Sequence, residues 1–222
     1  MDINALETAW NQGPGTLELV DPPGYAHAGI AVIDAVWSIQ LRYDRYVRPT
    51  VQRFVGDRGL DVGTDAASRP GFVEYGTAAL FAELEGLTDG ELVERFGSNH
   101  QASGRLKGVV VREVAQRLSA AGLDTRTDLV EPDDPGYDEQ KQAWVGVHGL
   151  GGVTWSYFRL LAGCDAVKPD IMVTRWVADA LGHERVSASD GAKALEDLAE
   201  RLNERRRVVD HAVWRWQSGR HG

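Results

Sequence analysis

With 222 residues, 43% of them apolar and 26% charged, the chain is long enough to bury a core and too apolar for wholesale disorder. Its one cysteine, Cys164, excludes an internal disulfide and a four-cysteine zinc or iron–sulfur site within one chain. The 24 Lys and Arg against 33 Asp and Glu leave a net charge of −9, the wrong overall sign for a nonspecific nucleic-acid binder, so a basic face must be local.

No run of about 18 apolar residues occurs, and Met1-Asp2-Ile3-Asn4 lacks the basic-then-apolar opening of a signal peptide. The expectation is a cytoplasmic protein with no membrane partner. Ile30, Ile33, Val36, Trp37 and Gln40 fall at 3-4 spacing and predict a helix that runs to Pro49. Just beyond, Arg42, Arg45, Arg48, Arg53 and Arg58 meet only Asp44 and Asp57, whereas the acids between Asp124 and Glu139 meet only Arg126. Acid and base are therefore segregated along the chain. Glycine and proline mark 59–72 and 123–137 as loops.

A second stripe, Leu106, Val109, Val110, Val114 and Leu118, predicts a helix that stops at Gly122. Val109-Val110-Val111 is β-branched but lies inside that stripe, and sustained strand alternation is hard to find. Thr154, Tyr157, Phe158 and Leu161 make a third stripe, and Val173, Trp176, Val177, Ala180 and Leu181 a fourth. Leu195, Leu198, Ala199 and Leu202 make a fifth, with Arg205-Arg206-Arg207 read as its basic C-terminal turn. These periods predict an all-α fold in which most of the seven tryptophans are core anchors and base stacking is the alternative for any outside a stripe.

The stretch from Trp144 to Trp155 carries the most chemistry. A helix-compatible segment enters a turn containing His148, Gly149, Leu150 and Gly151, and a second helix leaves at once. Gly149 and Gly151 allow positive φ and a close approach to another molecule. The N–H groups of Gly152, Val153 and Thr154 would then open the second helix as an anion site. A plain tight helical hairpin explains the same residues. Further on, Asp170 follows Pro169 and precedes the fourth stripe, so it reads either as an N-cap or as a carboxylate facing a bound phosphodiester.

Together these motifs resemble the helix-hairpin-helix DNA glycosylases of the endonuclease III superfamily. Val147-His148-Gly149-Leu150-Gly151 is similar to the family hairpin, and Asp170 with Arg175 to the catalytic Asp segment that follows it. Ser38-Ile39-Gln40 resembles the Ser-Ala-Gln whose Gln fills the gap left by an extruded base, and Lys107 resembles the Lys of the helix before the hairpin. The resemblance spans roughly 28–182. It implies an all-α fold: a helical-barrel subdomain at 28–163 carries the hairpin and packs on a second subdomain, 1–27 with 164–222, that carries Asp170. It further implies a monomer acting on double-stranded DNA that contains a modified, damaged or mispaired base, nucleoid-associated when bound.

On this resemblance Asp170 stabilises an oxocarbenium-like transition state and activates water. The DNA contacts would come from Gln40, Lys107, His148, Gly149, Gly151, Gly152, Val153, Thr154 and Arg175, with no metal or cofactor. The departures are specific. His148 replaces the hairpin proline and Met172 a family His, while the cluster cysteines are missing. Val153 stands where bifunctional members carry a Schiff-base lysine, which implies a monofunctional enzyme. Two rivals accompany this reading: a non-catalytic hairpin protein that binds bent or damaged DNA, and a helical interaction protein with a purely structural hairpin.

Overall fold

The computed structural model describes residues 1–219. The fold is all-α, and in chain order its first helices are α1 (Ile3–Asn11), α2 (Ala28–Trp37), α3 (Arg48–Gly56), α4 (Thr77–Leu84), α5 (Asp89–Phe96) and α6 (Lys107–Ala120). Then come α7 (Tyr137–Val145), α8 (Gly152–Leu161), α9 (Ile171–Leu181), α10 (Ala188–Leu202) and α11 (Arg206–Gln217). Two short strands, β1 (Gln101–Ala102) and β2 (Arg105–Leu106), pair antiparallel just before α6. Among the described residues no helix is long and apolar enough to cross a membrane.

The chain divides into two compact units, 23–163 and the combined segments 1–22 and 164–222. The sequence reading sets the first break at 27/28, whereas the units part at 22/23. The backbone N–H of Tyr25 donates to the carbonyl of Leu161 at 2.8 Å, which ties the two ends of the continuous unit together.

Within 23–163, every residue of α2 is buried. A helix apolar nearly all round belongs at the centre of a core, and α3, α4, α6 and α8 pack against it. Phe96 lies between Trp37 and Phe54, with ring centroids 4.5 and 5.4 Å away. Trp144 stacks on Phe158 at 4.9 Å, and Trp155 lies 5.6 Å from the same ring. Such pairs contribute roughly 0.5–1.5 kcal/mol each beyond the area they bury.

One predicted boundary needs correction in this unit. Helix α2 stops at Trp37 rather than running to Pro49, and Gln40 takes a left-handed φ of 58°. Pro49 instead sits in the first turn of α3, where a missing N–H costs little. The cause is distant in sequence. The Lys107 ammonium donates to the carbonyls of Val36, Trp37 and Ile39 at 3.1, 2.8 and 2.6 Å and so caps the helix.

In the other unit, α1, α9, α10 and α11 enclose Leu6, Trp10, Trp176, Leu195, Leu198 and Val213. Here Arg205-Arg206-Arg207 does not end the fifth stripe. Helix α10 closes at Asn203, with φ 54°, and the arginines open α11, with Arg205 as its N-cap. Cations at a helix N-terminus are unfavourable; local acids offset them. Asp21 lies 2.9 Å from Arg205 and 2.8 Å from Arg207, and Asp165 accepts the Arg207 backbone N–H at 3.0 Å. Trp10, Trp37, Trp144, Trp155 and Trp176 are buried, while Trp214 and Trp216 are half-buried.

Candidate nucleic-acid interface

Helices α7 and α8 are joined by a turn over 146–151. Leu150 N–H donates to the Val147 carbonyl at 3.0 Å, so the turn closes with His148 in place of proline and exposed. Gly149 has φ 93°, and a Cβ there would meet the side chain of Ser103. Gly151 does not share that need. It is extended, φ −155° and ψ −174°, with open space where a Cβ would stand. The expectation of positive φ therefore holds at Gly149 and fails at Gly151.

Thr154 works inside the turn. Its hydroxyl accepts from Trp144 Nε1 at 2.9 Å and from Gly151 N–H at 3.0 Å, and it donates to the Gly151 carbonyl at 2.8 Å. A hydroxyl has one donor and two acceptor sites, so none is left for DNA. Thr154 can reach a phosphate only through its backbone N–H. The first N–H groups of α8, on Gly152, Val153 and Thr154, have no intrahelical acceptor, as at any helix start.

Other elements adjoin this region through residues that the sequence reading did not single out. Ser103, at φ 49° in the β1–β2 turn, lies against Gly149. The Tyr46 and His100 rings are 4.8 Å apart and join the segment after Gln40 to the start of the same turn. Gln40, Arg42 and Arg45 are exposed, and Arg45 lies over the Tyr46 ring. The rest of the basic segment is engaged in structure. Arg48 pairs with Asp44 at 2.8 Å, Arg53 donates to the Glu94 carbonyl, and Arg58 pairs with Glu83.

Lys107 must be corrected as a DNA contact. It is fully buried, and its ammonium donors are engaged by the three carbonyls at the end of α2. Burial pushes its amine down to about 8, and the carbonyl oxygens favour the charged form. Its effect on Gln40 is indirect, through the cap that ends α2.

Asp170 is the N-cap of α9, with Oδ1 accepting from Met172 N–H at 2.8 Å and Val173 N–H at 3.3 Å. Its Oδ2 lies 3.7 Å from Lys168 Nζ. Capping and chemistry are therefore compatible, because the cap fixes the carboxylate through one oxygen. Arg175 is exposed on α9. Behind this turn, buried Asp210 of α11 accepts the Lys168 backbone N–H at 2.9 Å. Burial pushes the Asp210 carboxyl up to about 8, and the charge of Asp170 adds to the effect.

The sequence reading missed both Asp210 and a second buried carboxylate, Asp34 in α2. Asp34 accepts hydrogen bonds from the hydroxyls of Tyr25, Tyr43, Ser38 and Tyr157. Burial raises its pKa, and the four hydroxyls act in the opposite direction. Its partners come from four separate parts of the chain; the only local signal is an acid within an apolar helix.

The chain belongs to the family described as a domain of unknown function, DUF8548, whose profile matches residues 5–218. No curated protein and no solved structure matches it.

Proposed function

We propose that this protein is a monofunctional DNA glycosylase of the helix-hairpin-helix type, with 23–163 as its helical-barrel subdomain. The supporting observation is the α7–α8 turn: left-handed Gly149, extended Gly151 and the outermost N–H groups of α8 present a neutral phosphate grip. It suits a chain of net charge −9, because backbone dipoles supply what lysines otherwise would.

In this reading Gln40 enters the gap left by the extruded base, and exposed Arg42, Arg45 and Arg175 contribute to backbone contacts. Asp170 Oδ2 stabilises charge developing on the sugar and orients water, with Oδ1 held by the α9 cap. The protein acts as a monomer in the cytoplasm on DNA of the nucleoid. Asp170→Asn should abolish base release and leave duplex affinity within a few-fold of wild type, since the carboxylate serves the transition state. With Val153 at the lysine position, borohydride during turnover should trap no protein–DNA adduct. Base release at the wild-type rate by the Asn variant would overturn the assignment.

A second reading, a non-catalytic binder of bent or damaged DNA, is favoured by the N-cap bonds of Asp170. It expects wild-type and Asp170→Asn proteins to bind alike and neither to release a base.

A further inference from the structure

Asp34 is the one charged residue of α2, and no part of it reaches solvent. Oδ2 accepts from Tyr25 at 2.6 Å and Tyr43 at 2.8 Å, and Oδ1 from Ser38 at 2.9 Å and Tyr157 at 3.2 Å. Core stability alone gives little reason for this arrangement, because a buried carboxylate is costly and an apolar residue of similar volume packs as well or better. Ring orientation points the same way. Tyr25 and Tyr43 donate inward to the carboxylate, so their oxygen lone pairs are directed away from it, with the two oxygens 3.5 Å apart. A phenol that donates to a carboxylate is polarised into a better acceptor.

Position supplies the second line of argument. Tyr157 lies one helical turn beyond Val153 on α8, about 6 Å along the axis. Asp34 lies on α2, the helix whose capped end presents Gln40. The cluster therefore joins the end of α2, through Ser38 two residues before Gln40, to α8, whose first turn holds the proposed phosphate grip.

We infer that the Asp34–Tyr25–Tyr43 cluster is the wall of a base-recognition site selecting bases that present N–H donors or positive charge, such as N-alkylated purines and amino-bearing pyrimidines. This rests on the glycosylase reading. A wall lined by phenol acceptors repels carbonyl edges and leaves its own groups unpaired against them, and buried unpaired polar groups give the strongest discrimination a site can exert.

The test uses the full-length protein and duplexes carrying 7-methylguanine, 5-methylcytosine, uracil, or thymine opposite guanine, with released bases measured by mass spectrometry. An abasic duplex serves as the binding control. Release should be confined to the first two duplexes. Tyr43→Phe, which keeps the ring, should lower the rate on the better substrate about tenfold without changing abasic-duplex affinity or the unfolding midpoint by more than a few degrees. Asp34→Asn, which turns an acceptor into a donor, should abolish release. Preferential release of uracil or thymine, or a full rate in Tyr43→Phe, overturns the inference and leaves the glycosylase reading intact. No release from any duplex overturns both.

Discussion

Lys107 shows how a residue picked out by a motif can serve through another residue. Its ammonium closes the C-terminal end of α2 from a position 70 residues further along the chain, with its bond to Trp37. Lys107→Met keeps the stem but strands three carbonyls, two of them buried, which should destabilise the protein by about 3 kcal/mol in urea unfolding. A lysine on a phosphate would instead reduce the salt slope of duplex binding by about one; for this variant the slope should not change. Nothing local in Arg105-Leu106-Lys107-Gly108 distinguishes the two roles. The apolar stripe likewise continues to Gln40, so the early end of α2 was invisible to periodicity.

At the level of elements, the stripes of α6, α8 and α9 were legible because their apolar faces are local and their stops, Gly122 at φ 75° and Gly182 at φ 67°, are local too. The α7–α8 turn was legible in outline for the same reason. Which of its glycines is indispensable was not, since φ depends on what the turn packs against. Gly149→Val combines a left-handed φ with a collision against Ser103 and should cost more than 1 kcal/mol while weakening duplex binding. Gly151→Val meets extended backbone and open space, so the protein should keep its stability. On the proposed function its duplex affinity should fall equally for all sequences, because the added side chain would crowd a phosphate at the turn. Unfolding midpoints and binding titrations on both variants check the pair; equal destabilisation would contradict the assigned turn geometry.

Across the whole molecule, buried acids make stability depend on pH. Asp210 keeps its proton up to about 8 when folded, against an ordinary value of 3.8. Between those values the unfolded chain binds fewer protons, so stability falls as pH rises, by up to about 1.4 kcal/mol per unit. Asp34, whose pKa is also raised by burial, acts in the same direction, whereas the lowered pKa of Lys107 makes stability rise with pH, and only above about 8. Urea midpoints at pH 5, 6.5 and 8 should decline for the wild type. They should decline less for Asp210→Asn, whose amide oxygen still accepts the Lys168 N–H. A wild-type midpoint that rises over this range would show Asp210 to be ionised. Asp34 showed in sequence only as an acid within an apolar helix and Asp210 not at all, because Tyr157 and the Lys168 N–H reach them only through the tertiary fold.

The bond between Tyr25 and Leu161 has a consequence for the order in which the ribosome delivers this molecule. It makes 23–163 a closed insertion whose entry and exit adjoin, so every contact this unit needs has been synthesised once residue 163 is complete. Residues 1–22 must wait, because their partners α9, α10 and α11 are translated after the insertion. Vectorial synthesis thus completes the Asp34 cluster and the α7–α8 turn before the unit that carries Asp170. A nascent chain interrupted after the insertion would hold the proposed DNA-contact surface without the proposed catalytic carboxylate.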